Sequence, residues 1–234
     1  MPAPLSIVIP VLDAAAGLEK SLPALGEGLE AGLISELILS DGGSSDATAQ
    51  IASDAGAVWV AGAPGRGGQI ARGIAVAKSP WVLVLHADTI LQPGWSDAVQ
   101  AAFRTPTRAR YGALEFDAEG LAPRAVAGWA NLRSRFLGLP YGDQGLVLHQ
   151  DLLDSVGGYP DLPLMEDVAL ARSLRGQLAP LGVVARTSAA RFQAEGWVLR
   201  GARNLKLLLL YYAGADPAAL AKAYRSSGQA VNRD

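Results

Sequence analysis

The feature that most constrains this chain is a series of short apolar runs, each rich in β-branched residues, closed by turn chemistry and followed by a helix-like stretch. Residues 5–11 (LSIVIPV), 36–40 (ELILS), 57–61 and 81–85 (WVLVL) are such runs; helix-like segments occupy 14–30, 45–55, 68–77 and 94–103, and a further strand-like run covers 111–116. A run without polar alternation is the pattern of a strand buried on both faces, and its alternation with helices predicts a parallel sheet with crossover helices. Residues 1–117 are therefore expected to form an α/β, Rossmann-type half. No internal repeat or low-complexity linker interrupts it.

Beyond Asp117 the alternation loosens. The pattern predicts a helix at 123–137, a Gly-Asp-Gln-Gly turn at 142–145, strands at 146–149 and 181–185, and helices at 166–175, 196–213 and 217–226. The apolar stretch 205–213 is interrupted by Lys206 and falls far short of the roughly 20 residues of a membrane span. At 234 residues the chain can bury a substantial core, and its 18% charged residues and 27 glycines speak for a compact fold with many tight turns rather than disorder or coiled coil. The lack of cysteine excludes a disulfide framework, a thiolate nucleophile and a zinc site built on sulfur.

The net charge of −2 conceals an asymmetry. Residues 1–185 hold 12 Lys/Arg against 19 Asp/Glu, whereas 186–234 hold 8 against 3. An acidic body argues against a nucleic-acid footprint, and the basic end is suited to an anionic surface. Met1 is followed by Pro-Ala-Pro with no basic segment before the first apolar run, so cytoplasm is the expected compartment.

Ligands of parallel sheets sit at the carboxyl ends of the strands. Asp13, Asp41 and Asp88 each follow a predicted strand. Asp41 opens a Gly-rich turn (DGGSSD) that reads either as self-contained Asx and Ser capping or as an acceptor of hydrogen bonds from a base or ribose. Asp88, in His86-Ala87-Asp88, is either a turn cap or a hard oxygen ligand for Mg2+ or Mn2+ beside a diphosphate. The segment Gly65-Arg66-Gly67-Gly68-Gln69 fails the dinucleotide spacing, and no phosphate-loop motif occurs; Arg66 can still bind a phosphate or a base carbonyl at a helix start. Glu166-Asp167 is either a helix-start pair stabilised by the macrodipole or a general base in a pocket. His149 is a second candidate base, although a strand-end histidine in an apolar context is more often packed.

In order and spacing, these motifs resemble family 2 glycosyltransferases. Ser6-Ile7-Val8-Ile9-Pro10, the Asp41 turn, the Gly65 to Gln69 segment, His86-Ala87-Asp88 in place of the D-x-D motif and Glu166-Asp167 in place of the ED motif carry the likeness over roughly residues 4–190. It implies a GT-A fold: a mostly parallel sheet flanked by helices, with a catalytic domain at 1–190 (nucleotide-sugar half 1–117, acceptor half 118–190) and a helical extension at 191–234. It also implies an inverting transfer from a UDP- or GDP-type sugar, with Mn2+ or Mg2+ as cofactor. Asp41 and Arg66 would grip base and ribose, Pro10 and Leu12 would line that pocket, and Gln69, His86 and Ala87 would complete the donor side. Asp88 would hold the metal, Asp167 would be the base and Glu166 would orient it or bind acceptor; Asp143, Gln144 and Trp197 fall on the acceptor side.

The chain departs from the family at His86, where the first D-x-D carboxylate belongs, and at Ser40-Asp41, where an Asp-Asp pair is common. It has no Q-x-x-R-W motif, which implies a non-processive enzyme. Its ending, from Arg191-Phe192 through Trp197, Arg200 and Asn204 to Tyr224, is similar to that of a small subgroup sharing the His-Ala-Asp variant. On helical spacing Trp197, Leu205, Leu208, Tyr211 and Tyr212 share one face, suited to core, to a homodimer seam, or to peripheral contact with a membrane surface or a lipid acceptor. The competing expectations are a sugar nucleotidyltransferase, which would need a basic loop where 11–17 has no Lys or Arg, and a non-catalytic nucleotide-sugar-binding module.

Overall fold

A computed structural model describes residues 3–231. Eight strands form one sheet: β1 (Leu5–Val11), β2 (Ile34–Asp41), β3 (Val58–Ala61), β4 (Trp81–Val84), β5 (Thr89–Leu91), β6 (Ala109–Phe116), β7 (Leu146–His149) and β8 (Leu178–Thr187). The helices are α1 (Ala15–Ser21), α2 (Gly26–Glu30), α3 (Thr48–Asp54), α4 (Arg66–Ala75), α5 (Trp95–Ala102), α6 (Leu121–Leu137), α7 (Gln150–Ser155), α8 (Glu166–Ser173), α9 (Ala190–Glu195), α10 (Trp197–Tyr212) and α11 (Pro217–Val231).

The strand order is β3-β2-β1-β4-β7-β6-β8-β5. The first four strands are parallel, as the alternation predicts; β7 then runs antiparallel to both β4 and β6, β6 and β8 are parallel, and β5 closes the edge antiparallel to β8. The sheet is thus mixed though largely parallel. Side chains of β1 explain the unbroken apolar run: Ile7 and Ile9 enter a cluster with Leu39, Leu83 and Trp95 on one face, while Val8 joins Ile38, Val82 and Leu148 on the other.

The structure differs from the sequence pattern in four places. The predicted helix at 14–30 is broken, because Pro23 sits at the start of a 3-10 turn (Leu22–Leu25) that separates α1 from α2. Strand β5 is only three residues long and reads in sequence as a turn. Helices α7 and α9 are six residues each, too short for a periodic signal. The face predicted on α10 is split: Leu208 is buried and Tyr211 packs inward with it, whereas Leu205 and Tyr212 are largely exposed. Among the described residues no helix is long and apolar enough to cross a membrane.

Two glutamines fasten the loops at the carboxyl edge of the sheet. Gln69 donates through Nε2 to the carbonyls of Val11 (2.7 Å) and Ser40 (2.9 Å) and accepts from the Gly65 amide, tying α4 to the ends of β1 and β2. Gln144 accepts from the Ser134 hydroxyl (2.6 Å) and the Tyr141 amide and donates to the Gly112 carbonyl, tying the turn before β7 to α6 and β6. Both are buried with the oxygen and the nitrogen of the amide each hydrogen-bonded, so both position loops.

Candidate active site

The turn after β4 carries His86, Ala87 and Asp88. Ala87 is anchored from behind: its carbonyl accepts from the Ser21 hydroxyl at 2.7 Å, and Gly17 packs against its backbone. The side chains of His86 and Asp88 project into a cavity of about 210 Å³. Gly142 lies so close beneath the imidazole that a Cβ there would stand 2.4 Å from His86 Nε2, which is why that position has no side chain. His86 Nε2 is buried with no hydrogen-bond partner among the described residues. Burial, helped by the charges of Arg66 and Arg191, holds the imidazole well below its ordinary pKa and therefore neutral near pH 7, with a lone pair free to accept a hydrogen bond or bind a cation.

The second wall is the start of α8. Met165, the residue before the helix, is buried in a left-handed conformation (φ 65°, ψ 18°), a strain of about 1–3 kcal/mol for a non-glycine residue. It delivers Glu166 and Asp167 to the same cavity. Asp167 Oδ2 accepts from the Gly142 amide at 3.1 Å and Oδ1 from the Val168 amide at 2.7 Å, which fixes the carboxylate against the turn that carries Asp143. Glu166 is almost wholly buried, and its Oε1 lies 3.8 Å from Nε of Arg66, whose side chain is 41% exposed.

Arg66 reaches this wall because of the glycines after it. A Cβ on Gly67 would come within 2.6 Å of the backbone of Pro160 and Leu162, so the loop leading to Met165 can lie directly on the first turn of α4 only while residue 67 is glycine.

Burial pushes the Glu166 carboxyl up to about 7; the neighbouring Asp167 charge adds to this and Arg66 opposes it. Burial likewise raises Asp143 to about 6, opposed by Arg133 and Arg66 and reinforced by Asp167 and Asp88, and its Oδ1 is buried without a partner among the described residues. Glu166 is thus partly protonated near neutrality. An acid whose folded pKa lies above its unfolded value stabilises the fold fully below the unfolded pKa, here 4.5, and that contribution is lost as pH rises through about 7. In melts between pH 5 and 8 the Tm is expected to fall with rising pH, and Glu166→Gln to flatten that fall; an unchanged slope would disprove the assignment.

The remaining predicted site residues are placed as follows. Asp41 is buried, with its oxygens accepting from the Gly43 amide (2.7 Å), the Ser44 amide (3.0 Å) and the Ser44 hydroxyl (2.6 Å). Burial alone would raise its pKa, but these bonds, with the Gly42 amide, hold it below the ordinary value. Asp13, at φ 47°, accepts from the Ser45 amide and hydroxyl, and Asp46 accepts from the Ala15 amide, so the loops after β1 and β2 interlock. Leu12 is half-exposed beside them, one residue beyond β1, which contains Pro10. Of the residues implied for the donor side, Arg66 and His86 line the cavity, and Pro10, Leu12, Asp41, Gln69 and Ala87 lie outside its lining.

Asp143 is in the cavity wall, but Gln144 is the clamp described above. Trp197 stacks on Phe192 (centroids 5.0 Å apart) and meets Phe116 edge-on, packing behind the wall that those two rings form. His149 caps α7 by accepting from the Asp151 amide and stands edge-on against Trp81, outside the cavity lining.

Sequence reasoning gave no role to Arg133, Tyr141 or Arg191, all of which line the cavity. A signal existed for Arg133, a cation on the helix face that Ala127 and Ala130 bury; its guanidinium lies 3.3 Å above the Tyr141 ring and donates to the Leu139 carbonyl.

A largely parallel sheet of this order, with acidic residues beyond β4 and at the start of α8 meeting in one cavity, defines a glycosyltransferase of the GT-A class. The chain belongs to glycosyl transferase family 2, whose description matches residues 6–127, just over half of its length. No curated protein matches it. Among solved structures, glucosyl-3-phosphoglycerate synthase from Mycobacterium tuberculosis, in complex with Mn2+, uridine diphosphate and phosphoglyceric acid, is similar at 21% identity over 79% of this chain and 68% of that one, with a TM-score of 0.53. The same synthase with Mg2+ and uridine diphosphate gives 0.54 over 79% and 69% of the two chains, again at 21% identity. S. aureus TarS (residues 1–349) in complex with UDP is 15% identical over 80% of this chain and 62% of that one, at 0.55. At these identities the likeness establishes the fold.

Proposed function

We propose that the chain is an inverting, metal-dependent, non-processive glycosyltransferase that moves a sugar from a nucleotide-diphosphate donor to an acceptor hydroxyl, with Asp167 as general base. The observation that carries this reading is the meeting of Asp88, His86 and Asp167 on one cavity from separate elements. The acceptor oxygen forms the new bond at the anomeric carbon while the bond to the diphosphate breaks, and the acceptor proton passes to Asp167. A single displacement of this kind inverts the anomeric centre. Glu166, raised to about 7 by burial and the Asp167 charge, lies 3.8 Å from Arg66 and would orient that guanidinium toward the diphosphate.

The donor set suits a divalent cation shared with substrate. Asp88 offers hard oxygens, His86 a neutral, unpartnered Nε2, and Asp143 a buried, unpartnered Oδ1. No group of three His, Cys, Asp or Glu among the described residues could hold a metal alone, so phosphate oxygens and water would complete the coordination, as is usual for Mg2+ and Mn2+. The complexes of the synthase with uridine diphosphate and with Mn2+ or Mg2+ support a divalent cation acting beside a nucleoside diphosphate. When bound, the cation neutralises charge gathering on the leaving diphosphate.

The test is a thermal melt with UDP, GDP and their common sugar conjugates, with and without Mn2+. At ligand about 100-fold above Kd, linkage supplies about 2.7 kcal/mol, worth roughly 5–10 °C for a chain of this size. A metal-dependent rise with at least one nucleotide is expected. No rise with any of them overturns the assignment.

A further inference from the structure

Building on the transferase reading, we propose that the acceptor is an amphiphile, an alcohol whose apolar body lies between α6 and α10 while its hydroxyl reaches Asp167. The cavity that holds the carboxylates is also walled by Leu114, Phe116, Trp129, Phe192, Leu205 and Leu208. Two of the arginines that line the cavity, Arg133 and Arg200, are held by contacts within the protein. Arg133 covers the Tyr141 ring and donates to the Leu139 carbonyl, and Arg200 pairs with Glu195, donates to the Tyr224 hydroxyl and overlies Phe192. Their stems, with the six apolar side chains, give surface that a hydrocarbon body can cover, while Arg191, Asn204, Thr187 and Ser188, which also line the cavity, suit the polar part of an amphiphile.

The apolar lining continues to the outside. Trp129 (53% exposed) and Leu205 (44%) belong both to the cavity wall and to the surface. Around them α6 exposes Leu132, Phe136 and Leu137, and α10, which packs against α6, exposes Val198, Leu199 and Leu209. Isolated exposed leucines need no explanation, but Trp129, Leu132 and Phe136 on α6 and Val198, Leu205 and Leu209 on α10 recur at helical spacing, and each row includes a residue of the cavity wall, which marks a route for an apolar ligand. This continuity with the cavity holding Asp167 favours an acceptor over a second copy of the chain, which could cover the rim but could not fill the interior.

A chain-length series tests the proposal, because each buried methylene adds about fourfold in affinity. Binding of butanol, hexanol and octanol by calorimetry is expected to tighten two- to fourfold per methylene. Gly201 supplies a plug: it lines the cavity, and a Cβ there meets nothing within 4 Å. Gly201→Leu replaces a helix-interior glycine by a better helix former. With a native far-UV spectrum confirming the fold, it is expected to weaken octanol at least tenfold and to remove the chain-length dependence. Leu205→Asp, at the mouth, is expected to act in the same direction without filling the interior.

If the unmodified protein shows a UDP–Mn2+ melting shift but no chain-length dependence, the acceptor class is wrong and the transferase reading stands. If chain-length dependence survives while no nucleotide shifts the melt, the transferase reading falls and the acceptor role falls with it. A concentration-dependent dimer that excludes octanol assigns the rim to a second copy and also overturns the proposal.

Discussion

Asp167→Asn is expected to reduce sugar transfer about 10³-fold or more while leaving the UDP–Mn2+ melting shift within about a degree of the unmodified chain. General-base catalysis is typically worth 10²–10⁴, and an amide cannot take the acceptor proton. The substitution is nearly isosteric but not silent in the ground state. Asp167 uses one oxygen for the Gly142 amide and the other for the Val168 amide, and asparagine can keep only one of these bonds. That loss is worth about 1 kcal/mol, well below what the missing base removes from the transition state. The informative comparison is kcat against donor affinity. Equal losses in both would mean that Asp167 holds donor or fold and that the proton goes elsewhere, with Asp143 the next group to test, since burial raises it to about 6 in the same wall.

The parts of this molecule that sequence reveals are those with short-range causes. The unbroken run of β1 predicts a strand buried on both faces, and Ile7 and Val8 do lie in clusters on opposite sides of the sheet. Residues that directly follow a strand, such as His86 and Asp88, are found at its carboxyl end because chain connectivity allows little else. Partners brought together by packing leave no such trace. Arg66 meets Glu166 only because the loop after Pro160 rests on Gly67, and nothing near residue 66 announces residue 160. Residues of one chemical type also diverge for reasons a motif does not encode. Gln69 and Gln144 read as ligand groups, yet buried carbonyls and amides take up their hydrogen-bonding capacity. Asp41 is held by the Gly43 and Ser44 amides and the Ser44 hydroxyl, bonds local enough to be read from the DGGSSD turn itself. The apolar lining of the cavity was the least legible, since it draws side chains from β6, α6, α9 and α10, whose mutual arrangement no local pattern specifies.

Asp88→Ala is expected to abolish the metal-dependent part of the nucleotide melting shift and to reduce transfer by about 10²–10³. Two carboxylates could serve a cation in this wall, Asp88 and Asp143, and their surroundings separate them. Asp143 is pushed up to about 6 by burial, so in the free protein a proton competes with metal for it near neutrality. Asp88 sits on a turn whose backbone is anchored by Ser21 through Ala87, and removing its carboxylate takes away oxygen ligands without removing a hydrogen bond that holds the loop. Asp88→Ala is therefore expected to leave the melting temperature of the free protein nearly unchanged. His86→Ala makes the complementary measurement: Nε2 has no partner to lose, so a weakened Mn2+ dependence in that variant would assign the imidazole to the cation, and an unaltered one would leave Asp88 as the metal residue of this turn. A nucleotide shift that keeps its full Mn2+ dependence in Asp88→Ala would move the metal to Asp143, and with it the diphosphate, toward the α6 side of the cavity.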